Sequence, residues 1–359
     1  MSERLHIAIV STPHIKTPPG GFGGSETVAG GLAEELVRRG HQVTLFATPD
    51  SHTSGELRSF PSALPWGPYE HPGYREVIHL CHALASSRFD LVLNHCLKAV
   101  PVLALYKAAP VLTTLHYQPP ILKDFPWPAY IAISRRQEEL ARGEGLNVVG
   151  VAYNGIDPSR YCVVADKDDY LFWIGRFHVY KGPDLAIEVA ERLGMRLLLA
   201  APPPPEDQRD FFETRVRPHL RGRIEWLGGV EGEAKARLFE RARCTLCPIR
   251  WEEPFGLVMV ESMAAGTPVI AFRRGSVPEV IADGRTGFVV DDLESMVLAV
   301  ERVHRIDPQD CRRHVEARFT TATMVDAYLQ IARTQLDRAC VAGAALGPAP
   351  AALGQLAAP

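Results

Sequence analysis

The chain lacks any apolar run of membrane-spanning length, and its first apolar segment, Leu5–Val10, is too short for the core of a secretory leader. A soluble cytoplasmic protein is therefore expected. It also lacks an excess of either charge: 39 Lys and Arg face 42 Asp and Glu, for a formal net charge of -3. A nucleic-acid binder needs a basic footprint, so that class is disfavoured. Cysteine is sparse, odd in number at seven, and scattered, which argues against a disulfide framework. Cys244 and Cys247 form a C-x-x-C with no second pair, so thiols on or beside a buried strand are the simpler reading than zinc. His79 and His82, with Cys81 between them, have no carboxylate cluster beside them and read as packing residues. No Asp-x-Asp metal motif is read, so a need for metal is not expected, and a G-x-G-x-x-G starting at Gly21 fails because Glu26 stands where the last glycine would be. That failure disfavours a dinucleotide-dependent dehydrogenase.

What is present is a strand–helix rhythm, repeated. The chain has 359 residues, 46% of them hydrophobic and 23% charged, enough for two cores. In the first half, strands are predicted at Leu5–Val10, Gln42–Ala47, Leu91–Leu93, Val111–Leu115, Tyr130–Ile133 and Val148–Val151. A helix over Glu26–Arg39 is capped by Ser25, and a capping box joins Ser134 to Gln137. In the second half, strands are predicted at Tyr170–Ile174, Arg196–Ala200, Ile224–Leu227, Cys244–Leu246, Val269–Ala271 and Gly287–Val290, and a helix at Pro183–Leu193. Repeated βα units imply parallel sheets covered on both faces, hence an α/β fold of two doubly wound, Rossmann-like domains facing across a cleft. The expected division is 1–157, then 158–318, then a helix over 319–340 returning toward the first domain, then a disordered tail rich in Ala, Gly and Pro over 341–359. Ligands of such sheets bind beyond the carboxyl ends of the strands.

Four segments stand in such places. Gly20-Gly21-Phe22-Gly23-Gly24-Ser25-Glu26 joins a strand to a helix, where glycines let backbone approach an anion; a merely flexible loop is the plainer alternative. Gly175-Arg176, followed by Lys181-Gly182, puts two cations in one strand-to-helix loop, suited to a diphosphate unless the loop is simply a solvated basic one. Glu253-Pro254-Phe255-Gly256-Leu257 leads into a helix whose first-turn N–H groups face an anion, with Glu261 two turns along and able to hold both hydroxyls of a ribose. The alternative is a pair of glutamates serving the helix dipole and the solvent. His116 ends the strand Val111–Leu115, at a site-building position, although a satisfied core histidine is commoner for a lone residue.

Taken together, these segments resemble family 4 of the retaining glycosyltransferases, with the GT-B fold. The resemblance rests on Gly175-Arg176, Lys181-Gly182, the E-x7-E pair Glu253 and Glu261, Ala265-Gly266-Thr267-Pro268, Gly275-Ser276-Val277-Pro278-Glu279 and Gly284-Arg285-Thr286-Gly287-Phe288, in order and spacing. It covers roughly Leu5 to Ala332. It implies that Arg176 and Lys181 hold a donor diphosphate, with Gly23 and Gly24 approaching from the other domain. The backbone of Phe255, Gly256 and Leu257 would contact phosphate and sugar, Glu253 the sugar, and Glu261 the ribose. His116 would lie beside the reacting face and the backbone near Gly228 and Val230 would read the base. His116, Glu253, Arg176 and Lys181 are the expected catalytic set. The implied reaction moves a sugar from a nucleotide-sugar co-substrate to a small-molecule or glycan acceptor, without a metal or other cofactor. A GT-B epimerase and a non-catalytic nucleotide-sugar binder are the alternatives. Many relatives carry Pro-Ser before the first motif Glu; here the segment is Cys247-Pro248-Ile249-Arg250-Trp251-Glu252-Glu253, and Arg250 and Trp251 are expected to reshape the pocket rim. The aromatics Trp66, Tyr69, Tyr74, Tyr117 and Trp127 are candidates to stack on the acceptor.

Overall fold

A computed structural model describes residues 4–59 and 72–346, with backbone alone at 72 and 340–346. In chain order the first half runs β1 (His6–Val10), α1 (Gly24–Arg38), β2 (Gln42–Ala47), β3 (Glu56–Ser59), α2 (Pro72–Ser86), β4 (Leu91–Asn94), β5 (Val111–Leu115), β6 (Ala129–Ala132), α3 (Arg135–Gly143) and β7 (Val148–Val151). The second half runs β8 (Tyr170–Ile174), α4 (Pro183–Leu193), β9 (Arg196–Ala200), α5 (Arg209–Arg215), β10 (Ile224–Trp226), α6 (Gly232–Arg241), β11 (Cys244–Cys247), α7 (Leu257–Ala264), β12 (Val269–Phe272), α8 (Val277–Val280), β13 (Gly287–Val290), α9 (Leu293–Arg302), α10 (Pro308–Arg318) and α11 (Thr321–Leu346).

The strands form two sheets. The first has seven strands in the order β3-β2-β1-β4-β5-β6-β7, the second six in the order β10-β9-β8-β11-β12-β13, and all pairings are parallel. Each chain reversal beside β1 or β8 opens a crevice at the carboxyl ends, where loops can gather around a ligand. Central strands such as β8, all five residues buried, are apolar throughout because helices cover both faces. Strand β3 was not anticipated: Glu-Leu-Arg-Ser is short and polar, as an edge strand half-open to water can be.

The lobes are joined twice. Past β7, the backbone N–H of Ile156 donates to the carbonyl of Phe319 at 2.9 Å, and the N–H of Thr321 donates to the carbonyl of Ile156 at 2.9 Å, so the two crossings run side by side. Helix α11 then lies on the first lobe, burying Met324, Val325, Tyr328 and Ala332 in its core. Tyr328 and Thr114 share a hydrogen bond of 2.8 Å, and Arg39 reaches Asp326 at 2.6 Å. The helix continues to Leu346, into the stretch expected to be disordered; residues 347–359 lie outside the described part. A third tie holds α3: the carboxylate of Glu279, from α8, accepts from the N–H groups of Arg135 and Arg136 at 2.8 Å each and from the hydroxyl of Tyr153 at 2.7 Å.

Candidate functional site

The first loop of interest reaches α1 through Gly23, which is the N-cap, correcting the assignment to Ser25. Thr27 returns its hydroxyl to the Gly23 carbonyl at 2.8 Å, and Glu26, buried in the first turn, accepts from the hydroxyl of Thr12. The loop faces the other lobe closely. A Cβ built on Gly24 would lie 3.6 Å from Cδ1 of Leu257, and one on Gly20 or Gly21 would press on Glu231.

Opposite, β11 ends and α7 begins after Gly256, whose φ of 81° is open to glycine and closed to a branched side chain. The turn is braced from behind. Ser276 donates its N–H to the Glu253 carbonyl at 2.9 Å and its hydroxyl to the Phe255 carbonyl at 2.8 Å. The N–H groups of Leu257 and Val258, which open α7, have no intrahelical acceptor, and both residues line the cleft at the positive end of the helix dipole.

Charge is arranged in two pairs. Lys181 Nζ donates to Glu253 Oε2 at 2.6 Å, and Lys235 Nζ donates to Glu261 Oε1 at 2.7 Å. Tyr161 donates its hydroxyl to the same Glu261 oxygen at 3.1 Å. Arg176, by contrast, is exposed and makes no hydrogen bond or ion pair among the described residues. Its fork is therefore available to an anion, while the carboxylates beside it are already compensated.

His116 stands past β5, its Nε2 2.7 Å from Nδ1 of His95, the rings stacked with centroids 5.0 Å apart. Burial pushes the His116 pKa down to about 4, and burial with the neighbouring ring holds His95 well below the usual histidine range. Both rings are thus neutral at pH 7, and Nε2 of His95 is buried with no partner.

Most of these groups, though not His95 or Tyr161, line one cavity of about 850 Å³ between the lobes. Gly23, Gly24 and His116 come to it from the first lobe; Arg176, Lys181, Val230, Glu253, Phe255, Gly256, Leu257 and Glu261 come from the second. Gly228 does not. It sits past β10 with its carbonyl accepting from Ala201, outside the lining, because the chain turns inward only at Val230. Lys235, Tyr161 and His95 were not anticipated. Lys235 and Tyr161 meet Glu261 only through folding, 26 and 100 residues away in sequence. Of the candidate aromatics, Tyr117 lines the cavity; Tyr74 and Trp127 are exposed elsewhere, and Trp66 and Tyr69 lie outside the described residues.

Among the described residues no group of three or more His, Cys, Asp or Glu is placed to hold a metal ion. The string Asp166-Lys167-Asp168 has Asp-x-Asp spacing, but Asp168 is bidentate with Arg241 at 2.8 Å and is not part of the cavity wall. Cys244 and Cys247 are buried on β11, their thiols pushed up to about 12. No helix among the described residues is long and apolar enough to cross a membrane.

Two parallel α/β lobes with a cavity between them define the class of architecture, the GT-B fold. Its overall form matches sucrose-phosphate synthase from Thermosynechococcus elongatus, with a TM-score of 0.78 at 21% identity over 93% of this chain and 100% of that one. It also matches Anabaena HepE solved with UDP-glucose, with a TM-score of 0.71 at 18% identity over 93% of this chain and 100% of that one. In sequence, the model of Glycosyltransferase Family 4 matches residues 22–160 and that of Glycosyl transferases group 1 matches residues 168–305. The chain therefore belongs to the family 4 type of GT-B glycosyltransferases. Phosphatidyl-myo-inositol mannosyltransferase of Mycobacterium tuberculosis is 28% identical over 311 residues, 75% of this chain and 80% of that protein. With several other curated relatives, among them an uncharacterized glycosyltransferase of Methanocaldococcus jannaschii, the match spans less than half of their length.

Proposed function

We propose that the protein transfers a sugar, with retention of anomeric configuration and without a metal ion, from a nucleotide-sugar donor to a small-molecule or glycan acceptor. The observation that carries this reading is the convergence of Arg176, Lys181 and the start of α7 on one wall of the cavity. A sugar nucleotide's diphosphate needs that arrangement of cations and amides when no metal shares its charge. Glu261, held by Lys235 and Tyr161, keeps a carboxylate for the ribose. HepE, of the same fold, has been solved with UDP-glucose, and a ligand of that chemical class is proposed here.

In the reaction, the bond from the anomeric carbon to the donor phosphate oxygen breaks. A bond to the acceptor oxygen forms on the same face, and the acceptor's proton passes to the departing phosphate oxygen. Charge grows on that phosphate, where Arg176, Lys181 and the α7 amides stabilise it; each well-placed donor in a dry site is worth roughly 3–4 kcal/mol. His116, neutral at the working pH, offers a hydrogen bond beside the sugar and no repulsion toward its developing positive charge. Closure of the lobes excludes water. The proposed compartment is the cytoplasm, in keeping with seven scattered cysteines.

The test is a panel of UDP-, GDP-, ADP- and dTDP-sugars scored by nucleotide release with a mixed acceptor pool, with and without EDTA. Release from at least one donor, dependent on acceptor and unaffected by EDTA, with product anomers matching the donor by NMR, is expected. Failure of every sugar nucleotide to bind overturns the reading. Turnover of donor without acceptor would make the protein an epimerase instead.

A further inference from the structure

The segment before the first motif glutamate, Arg250-Trp251-Glu252, ties two loops of the cavity together, and the structure shows what its residues do. Arg250 is fixed from several sides: its N–H donates to the Tyr180 carbonyl at 2.8 Å, and its guanidinium holds Asp184 at 2.8 and 2.7 Å and the Val179 carbonyl at 2.9 Å. The loop carrying Lys181 is thereby tied to the loop carrying Glu253. Trp251 comes next. Its indole N–H donates to Glu253 Oε2 at 2.8 Å, the same oxygen that accepts from Lys181 at 2.6 Å, and Lys181 Nζ lies 5.0 Å from the indole centroid. One carboxylate oxygen thus takes two donors. The other, Oε1, makes no hydrogen bond among the described residues, and Glu253 and Trp251 both line the cavity.

We infer that Trp251 is a specificity-determining residue of the donor-sugar subsite, fixing the Glu253 carboxylate so that Oε1 is presented at one point to a hydroxyl of the transferred hexose. The inference rests on the proposed donor site. A free carboxylate turns broadly about its last torsion; two donors on one oxygen, one of them on a rigid ring, remove that freedom. Epimeric hexoses differ in where one hydroxyl points, and a hydrogen bond weakens steeply away from its preferred angle. A fixed acceptor distinguishes epimers where a swivelling one accommodates both. Lys181 alone cannot supply this, because its flexible stem follows the carboxylate.

The experiment is calorimetric titration of wild type, Trp251→Phe and Trp251→His with UDP, GDP and ADP, each alone and as a pair of epimeric hexose conjugates. In Trp251→Phe, which keeps a ring and loses the N–H, the nucleoside diphosphate alone should bind within about twofold of wild type. The affinity added by the sugar should fall roughly tenfold, and the ratio between epimers should shrink with it. Trp251→His, which keeps a ring N–H, should restore part of that ratio. A Trp251→Phe protein with the wild-type sugar increment and epimer ratio overturns the inference while leaving the donor site standing. If no nucleoside diphosphate binds wild type, the donor-site reading fails and the inference falls with it.

Discussion

Nζ of Lys181 and Oε2 of Glu253 stand 2.6 Å apart, although they belong to two different βα connections 72 residues from each other. The pair lies on the wall of the interlobe cavity, with the lysine side chain 28% and the glutamate 10% exposed. A cation held there by its own carboxylate is positioned before any ligand arrives. An incoming diphosphate then meets preorganised charge, and little reorganisation is left for the moment of reaction.

Lys181→Ala is expected to lower kcat roughly 100-fold or more, while the unfolding free energy changes by no more than about 2 kcal/mol. Nucleotide release and a urea melt on the same preparation check both halves. Wild-type turnover in a folded variant would remove Lys181 from the catalytic set.

Glu261→Ala should weaken nucleoside diphosphate binding by roughly tenfold or more, since a charge-assisted bond to the ribose is lost and Lys235 and Tyr161 lose their common partner. Titration calorimetry reads this directly. Unchanged affinity would move the ribose elsewhere.

Gly275 supports Glu253 from behind. Its φ is 57°, and a Cβ there would lie 2.2 Å from the Glu253 carbonyl oxygen and 2.3 Å from its nitrogen. Gly275→Ala is expected to cost roughly 1–3 kcal/mol of stability through strain and backbone displacement, and to weaken sugar-nucleotide binding as Glu253 shifts. A thermal melt and a donor titration together check it.

Stability should also fall with acid in a way traceable to two rings. The pKa of His116 is lowered from 6.5 to about 4 and that of His95 also lies well below 6.5, both chiefly by burial. Below pH 6.5 the unfolded chain takes up protons that the folded rings refuse, so their contribution is intact above pH 6.5 and is lost as pH falls toward about 4. In a His95→Asn, His116→Asn double variant, the drop in Tm between pH 6.5 and 4 should be shallower than in wild type. Equal slopes would mean the rings protonate freely in the folded state.

Much of the frame was legible in the sequence because parallel sheets demand it. Tyr170–Ile174, Pro183–Leu193, Arg196–Ala200 and Gly287–Val290 are read correctly to the residue, each an apolar run or an amphipathic stretch bounded by a breaker. Ser134 caps α3 as read, accepting from the Gln137 N–H at 3.2 Å. Strand β3 was not legible, since four half-polar residues carry no period strong enough to separate them from a loop. Nor was Gly23 as the cap of α1. A serine beside the first helical turn is the usual signal, and here the backbone of a glycine took that place. In the site, residues strung along one motif could be found from their order. Partners that arrive by tertiary folding, such as Lys235 at Glu261 and His95 at His116, carry no local signal at all.

The most direct measurement is a crystal structure of the protein soaked with a nucleoside diphosphate that it binds in solution. The account expects the two phosphates in the interlobe cavity, within hydrogen-bond distance of Arg176, Lys181 and the backbone N–H groups of Phe255 to Leu257, with the ribose hydroxyls on Glu261. A ligand bound elsewhere, with Arg176 and Lys181 turned to solvent, would contradict it.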